Sequence, residues 1–509
     1  MNQNDVPETL NPRQLGVLLG SVLVIALCGI VYELIIATVS SYLLGDSVYQ
    51  FSITIGLFMF AMGLGSYFTK LIETQLVRAF VTVELFIALI GGVCSTLLFV
   101  VFPHYALYKP VMYGLIIVIG TLVGFEIPLL TRILSRQRTL QQSIAHVLSL
   151  DYFGALVGSA AFPLLMLPYL GLFRSSYAIG LLNVFVVYCA LFVFGSRLRW
   201  PCWLGALGVT AILATGLVYS TVIRRYAEGQ LFADAIIYTE QTPYQRIIVT
   251  KHDVNGKLRL YLDGHIQFCE REEYRYHEAL VHPAFSIPGQ RSRVLILGGG
   301  DGLAAREILK YEDVETIDLV DIDERVTSLC RRFEPIRRLN EGSLDSPKLH
   351  VHNIDAFRFV RETQNHYDRV IIDFPDPRND ALTKLYSVEF YRLLRRVMTP
   401  QGFLTTQSSS PYYTREVFWG IAHTLQAAGF ATHSYQIHVP TFGNWGFTLG
   451  GVEGEIPKTF PIDVPTQFLT TEVMAVADVF GRDVSEIVVP TNSLYQPNLY
   501  RLYQQGASR

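Results

Sequence analysis

The chain has 509 residues, of which 50% are hydrophobic and 17% charged, with a mean hydropathy of +0.31. That is too apolar for an ordinary soluble enzyme. The formal net charge of −3 argues against a nucleic-acid partner, and six cysteines (Cys28, Cys94, Cys189, Cys202, Cys269, Cys330) without paired spacing suggest neither a disulfide framework nor a thiolate metal site.

The apolar excess lies before about Arg224. Long apolar runs occupy Leu15–Ile36, Phe51–Phe68, Phe80–Val101, Val111–Leu130, Val147–Leu167, Tyr177–Phe194 and Trp203–Val222, each near the roughly 20 residues that cross a bilayer as a helix. Residues 1–225 therefore read as an all-α polytopic membrane domain of about seven helices. The first run is not a cleavable signal peptide, because it is long and leads straight into further spans. Positive charge follows the second, fourth and sixth runs (Lys70, Arg78; Arg132, Arg136, Arg138; Arg197, Arg199), which places those loops and the Arg13 tail in the cytoplasm. Seven crossings put the remainder outside, despite Arg224 and Arg225 at that exit. The expectation adopted is a cytoplasmic catalytic domain. Glu33, Glu84, Glu126 and Asp151 fall within the spans, either paired or facing a cavity that attracts an organic cation. The spacings Gly154/Gly158 and Gly56/Gly63 fit close helix packing.

From Tyr226 the pattern changes to short strands. Residues 226–290 read as a small β subdomain with a hairpin turn at Asp263-Gly264, ending in a polar, aromatic helix candidate. Residues 291–509 alternate strands (Arg293–Leu297, Thr316–Asp321, Leu349–Asn353, Tyr367–Asp373, Gly402–Gln407) with helices (Leu303–Lys310, Arg325–Phe333, Ala356–Thr363, Val388–Met398, Thr414–Ala428). That repeat predicts a doubly wound, Rossmann-like α/β domain with its ligand at the carboxyl ends of the strands.

Those ends carry the chemistry. The first strand empties into Gly298-Gly299-Gly300-Asp301-Gly302, where glycines admit a ligand close to the backbone. Asp301 there suits a cation and would repel a pyrophosphate at a helix N-terminus. The second strand ends at Asp321, placed to hold ribose hydroxyls, and the third leads to Asp355, where an adenine amine is within reach. The fourth presents Asp373 and Asp376 together. A lone strand-end Asp is as often a helix N-cap or a solvated turn. The set together describes an adenosine-like site beside an acidic pocket suited to a polycation. No His/Asp spacing marks a metal site.

The motifs TPYQ (Thr242–Gln245), LDGHIQ (Leu262–Gln267), EYRYHEALVHP (Glu273–Pro283), GGGDGLAARE (Gly298–Glu307), VDID (Val320–Asp323), Asp355-Ala356, DFPDP (Asp373–Pro377) and LYSVEFY (Leu385–Tyr391) together resemble the spermidine synthases, or polyamine aminopropyltransferases, over most of Ala235–Gly450. The amino-terminal half resembles the membrane-anchored bacterial subgroup. The resemblance implies a class I S-adenosylmethionine-dependent transferase-type fold. It also implies transfer of an aminopropyl group from decarboxylated S-adenosylmethionine to putrescine, with no separate cofactor. It implies that Asp373 accepts or positions the amine proton, assisted by Tyr276. Gln245, Gly298, Gly300, Asp301, Asp321, Asp355 and Ala356 would hold the donor, and His277, Asp301, Asp376 and Gln267 the polyamine. A homo-oligomer anchored in the bacterial inner membrane is the corresponding partner and location expectation.

The chain departs from the family pattern at Phe374-Pro375, at Arg378-Asn379-Asp380 and at Phe442, all on the acceptor side, so the amine accepted stays open, cadaverine or a longer polyamine included. Two rival readings are a methyltransferase, which Asp301 disfavours by repelling the carboxylate of ordinary S-adenosylmethionine, and a polyamine transporter or sensor.

Overall fold

The computed structural model describes residues 11–507 except 45–46, 136–139, 195–199, 230–231, 233, 255, 454–455 and 458. Arg136, Arg138, Arg197 and Arg199 of the charge pattern lie outside the described residues. The chain forms two compact units, Met1–Ala233 and Asp234–Arg509.

The first unit is all helix: α1 Pro12–Leu44, α2 Ser47–Phe68, α3 Leu76–Val101, α4 Tyr105–Leu134, α5 Leu140–Ala161, α6 Leu167–Phe194 and α7 Trp200–Gly229. Among the described residues, six segments are long and apolar enough to cross a membrane, and one of these, Gln141–Phe194, runs for 54 residues. A straight helix of that length spans roughly 80 Å, far beyond a hydrocarbon core of about 30 Å. Gly171, at φ 69 and ψ 178, breaks it into two helices, so the fifth and sixth apolar runs sit in one segment with a kink inside it. The unit is apolar on its outside too: Phe60, Tyr169, Phe192 and Val218 are all more than half exposed.

Inside, Glu33, Glu84 and Glu126 are buried and Asp151 is half-buried. Glu84 accepts a hydrogen bond from Asn183 Nδ2 at 3.2 Å. Small residues set the helix approaches, and not all at the expected places. A β-carbon at Gly154 or Gly158 would strike α1 at the Leu23 carbonyl or the Ile30 side chain. Gly56 and Gly63, by contrast, face open space. The close approach of α2 to α4 is made by Gly65 and Gly124, whose added β-carbons would meet the carbonyls of Thr121 and Met62. Spacing alone does not tell which glycine of a helix points at its neighbour.

The second unit begins with an antiparallel sheet in the order β1-β2-β3-β4 (Ala235–Gln241, Arg246–Lys251, Leu258–Leu262, His265–Cys269). Asp263 and Gly264 turn β3 into β4 with φ 51 and 78, the two left-handed residues a tight hairpin demands. Helix α8 (Glu273–Ser286) follows. Then come β5 Arg293–Gly298, α9 Leu303–Ile308, β6 Thr316–Val320, α10 Glu324–Arg332, α11 Glu334–Leu339, β7 Leu349–His352, α12 Ala356–Glu362, β8 Tyr367–Asp373, α13 Asp380–Thr383, α14 Val388–Arg396, β9 Met398–Gln407, α15 Arg415–Ala427, β10 Ala431–Val439 and β11 Gly443–Gly451. Helices α16 (Thr471–Ala477) and α17 (Leu499–Ala507) complete the unit.

The large sheet has the order β10-β11-β9-β8-β5-β6-β7. Strands β5 to β9 are parallel, and β11 runs antiparallel to both β9 and β10. This is the Rossmann-like fold expected from the alternation. The β10–β11 hairpin was not among the expected strands, although Tyr435, Ile437 and Val439 alternate inward along β10. Arg369, fully buried on β8, donates to the carbonyls of Ala284, Ile287 and Gln290 and so ties the end of α8 to the sheet.

Substituting Gly124→Leu should destabilise the full chain in detergent by about 1–3 kcal/mol or more, because backbone must move to admit the side chain. Gly63→Ala should change stability by less than about 1 kcal/mol. Thermal unfolding of both variants checks this; equal effects would mean α2 and α4 do not meet through Gly124.

Candidate functional site

The large sheet changes direction between β5 and β8: β6 and β7 extend one way, β9 and its hairpin the other. A crevice forms at the carboxyl ends of strands at such a reversal. A cavity of about 520 Å³ lies there, and every sequence-predicted site residue lines it: Gln245, Gln267, Tyr276, His277, Gly298, Gly300, Asp301, Asp321, Asp355, Ala356, Asp373 and Asp376.

The glycine turn is required by close approach. Gly298 and Gly299 have φ 83 and 65, where a side chain is strained. A β-carbon on Gly298 would strike the Asp373 carbonyl, and one on Gly300 the Asp321 carboxylate. The ends of three neighbouring strands therefore touch through the turn. Gly300 N donates to Asp321 Oδ2 at 3.1 Å and Asp323 N to Asp321 Oδ1 at 2.9 Å. Burial pushes the Asp321 carboxyl up to about 6, against those two N–H groups. Asp323 holds this corner as well: it caps α10, accepting from Arg325 N at 3.0 Å, and takes bonds from Thr242 Oγ1 (2.7 Å) and Gln245 Nε2 (3.1 Å). In the motif VDID it is the second aspartate that anchors Gln245.

Asp355 combines both readings of a strand-end aspartate. It caps α12, accepting from Arg358 N at 2.9 Å, and pairs with Lys384 Nζ at 2.8 Å, while still lining the cavity. Its burial is outweighed by Lys384 and the cap N–H, and its carboxyl lies below the usual range. Ala356 is the first residue of α12.

On the opposite wall, α8 delivers Tyr276 and His277. Tyr276 OH donates to Asp373 Oδ1 at 2.6 Å. His277 Nδ1 lies 2.8 Å from the Glu273 carbonyl and 2.9 Å from Glu273 Oε2. Desolvation lowers His277, but Glu273 first, then Asp301 and Asp373, outweigh it and raise the imidazole to about 9. His277 is thus a cation at neutral pH, facing two carboxylates. Burial raises Asp373 to about 6, reinforced by Asp301 and opposed by His277 and Tyr276. Asp301 is raised by burial and steadied by His277 and by Leu303 N, which donates to it at 2.9 Å.

Asp376 is raised by burial to about 6. The loop bearing it is pinned: the Phe374 carbonyl accepts from Gln407 Nε2 (2.7 Å) and Tyr386 OH (3.1 Å). Gln267 turns its amide to the His265 carbonyl at 3.1 Å. Phe442 lies 6.1 Å from the Tyr276 ring and 5.0 Å from Trp445, ring centre to ring centre, and the buried Trp445 Nε1 has no partner among the described residues.

Sequence reasoning did not assign site roles to several lining residues. Asp263 comes from the β3–β4 turn, His265 from the start of β4, Arg378 from the loop after β8, Gln407 from the end of β9 and Tyr503 from α17. The departures at Arg378 and Phe442 were a usable signal for their regions. Tyr503 had none, because nothing in the tail's pattern says that it folds back over the β8 loop. Among the described residues no group of three or more His, Cys, Asp or Glu is arranged to hold a metal.

Comparison with known proteins adds an independent finding. The spermine/spermidine synthase domain family matches residues 273–460. The polyamine aminopropyltransferase of Leptospira interrogans is 42% identical, with 96% of this chain and 98% of that protein covered. Polyamine aminopropyltransferase 1 of Streptomyces coelicolor is 43% identical over 96% of this chain and 94% of its own length. The Mycobacterium tuberculosis polyamine aminopropyltransferase is 37% identical, covering 97% of each. The likeness therefore includes the helical unit.

The raised Asp373 makes a stability prediction. Its folded pKa, about 6, exceeds the unfolded value near 4, so the folded state bears the full cost of the carboxylate above pH 6 and none well below 4. Asp373→Asn should therefore stabilise the ligand-free full chain at pH 8 by about 1–3 kcal/mol. The gain should shrink as pH falls through 6 toward 4. Identical melting curves at pH 8 would show that the carboxylate is not held at a cost.

Proposed function

Because the chain belongs to the polyamine aminopropyltransferase family, we propose that it transfers the aminopropyl group of decarboxylated S-adenosylmethionine to putrescine, forming spermidine and methylthioadenosine. The observation that carries this reading is the convergence of Asp301, Asp373, Asp376 and the Tyr276–Asp373 hydrogen bond on one cavity beside Asp321 and the glycine turn. The donor's sulfonium already activates the methylene next to it. The neutral amine nitrogen attacks that carbon, the carbon–sulfur bond breaks, and sulfur keeps the electron pair as an uncharged thioether. The new ammonium then loses a proton.

Free amines near pKa 10 are protonated at neutral pH, so the site must hold one nitrogen neutral and in line. Asp373 is the group for this: with a carboxyl near 6 it is ionised at pH 7 to 8 and able to take the proton. Tyr276 fixes its orientation. Asp301 and Asp376 receive the remaining ammonium ends of donor and acceptor, and His277 sets the charge between Asp301 and Asp373, with Gln267 on the acceptor side. Asp321, Gln245, Asp355, Ala356, Gly298 and Gly300 hold the nucleoside. The helical unit sits in the cell membrane and the second unit works in the cytoplasm, where its nucleoside donor is made. The exposed apolar side chains along the helices support the membrane part of this reading.

The full chain in detergent, given decarboxylated S-adenosylmethionine and putrescine, should release methylthioadenosine and spermidine. Asp373→Asn should cut kcat by about 10²–10⁴-fold, with an acid limb in the wild-type profile near pH 6 that the variant lacks. Release of product at an undiminished rate by the variant would remove Asp373 from the mechanism. Absence of product from the wild type with any amine would overturn the reading itself.

A further inference from the structure

Besides His265, the cavity wall carries three cationic groups, and two of them are spent. Lys384 is bonded to Asp355 at 2.8 Å, and His277 to Glu273 at 2.9 Å. The third, Arg378, lines the cavity with a guanidinium that makes no hydrogen bond and no direct ion pair among the described residues. Its side chain is half-buried. Burial pulls its pKa down, while Asp263, Tyr503 and Asp376 oppose this through space. Its charge is felt across the cavity: His265 is lowered to about 4, first by burial and then by Arg378. A guanidinium stays charged in such a place, so the cavity carries a cation that Asp263 and Asp376 offset only through space.

Its position follows from the backbone. Arg378 N donates to the Asp376 carbonyl at 2.7 Å, so carboxylate and guanidinium belong to one tight turn. Asp263 of the β3–β4 turn and Tyr503 of α17 flank it. On the transfer reading, a diamine with its reacting nitrogen at Asp373 would direct its distal ammonium toward Asp376, and a triamine would carry a further ammonium beyond it, toward Arg378.

We infer that Arg378 is a specificity-determining residue, whose unpaired guanidinium closes the acceptor end beyond Asp376 to any amine with an additional ammonium there. The enzyme accordingly accepts short diamines and rejects triamines by repulsion rather than by lack of space. This rests on the transfer reading above.

The test supplies the full chain in detergent with decarboxylated S-adenosylmethionine and competing putrescine and spermidine, and follows both products by mass spectrometry. Wild type should favour putrescine. Arg378→Met, which keeps length and removes charge, should raise the spermidine-to-putrescine ratio of kcat/KM by roughly tenfold or more, and Arg378→Lys should retain the wild-type ratio. An unchanged ratio in Arg378→Met overturns the inference. An equal rise in Arg378→Lys overturns it too, since shape rather than charge would then decide. So does a wild type that prefers a diamine bearing a carboxylate and loses that preference in Arg378→Met, which would make Arg378 an anion-binding residue.

Failure of the transfer reading is distinguishable: wild type would release no methylthioadenosine with any amine. Calorimetric binding of putrescine and spermidine to wild type and Arg378→Met, in the presence of methylthioadenosine, then decides the inference alone. Equal affinity of the wild type for the two amines would overturn it.

Discussion

Everything at the site depends on a buried charge network joining α8 to α9. Arg306, on the helix that follows the glycine turn, donates to both Glu273 oxygens at 2.8 and 3.0 Å and through Nε to Glu307 at 2.9 Å. Glu307 in turn meets His282 at 2.9 Å and Lys310 at 2.6 Å. Glu273 and His282 sit on α8, either side of Tyr276 and His277. The network thus sets how the tyrosine and histidine face Asp301 and Asp373. Buried ions are costly unless fully bonded, and losing one partner strands the other, typically at about 3–5 kcal/mol. Such a network tolerates one arrangement of the two helices and resists sliding.

Its second effect is electrostatic. Burial opposes the ionisation of Asp301, Asp321, Asp373 and Asp376, and a cavity holding all four ionised would repel itself. Glu273 keeps His277 charged, and His277 in turn favours the ionised forms of Asp301 and Asp373. The histidine therefore acts as a resident counter-ion, held by a carboxylate that faces away from the cavity toward Arg306. The carboxylates remain short of positive charge, which is the condition under which a cationic ligand binds well. Arg378, in the loop after β8, favours the ionised form of Asp376 in the same sense.

Much of this was legible in the chain. The alternation of strand and helix patterns located β5 to β9 and α9, α10, α12 and α14 within a few residues, but not the short α11 and α13. The glycine turn and the strand-end aspartates converge because parallel strands bring their carboxyl ends to one edge. The Asp263-Gly264 turn was readable from residue type alone. Asp355 was less so. An aspartate before a helix is both a cap and a potential ligand, and only the geometry shows that it is already bonded to Arg358 N and Lys384. Gly65 and Gly124 were passed over for Gly56 and Gly63, since helical spacing states which residues share a face but not which face meets a neighbour.

The sequence by itself determined the class of each half, the order of the strands' chemistry and the family to which the motifs belong. These are local properties: hydropathy over about 20 residues, turn residues, and the placement of an acid after each strand. Tertiary structure decided which charges are spent and which are free. Glu273 lies one turn from His277 in the sequence, yet its effect depends on Arg306 from another helix. Tyr503 and Asp263 come from opposite ends of the second unit and meet Arg378 only on folding. Electrostatic fields act through space between groups far apart in the chain, and burial is a property of the whole fold.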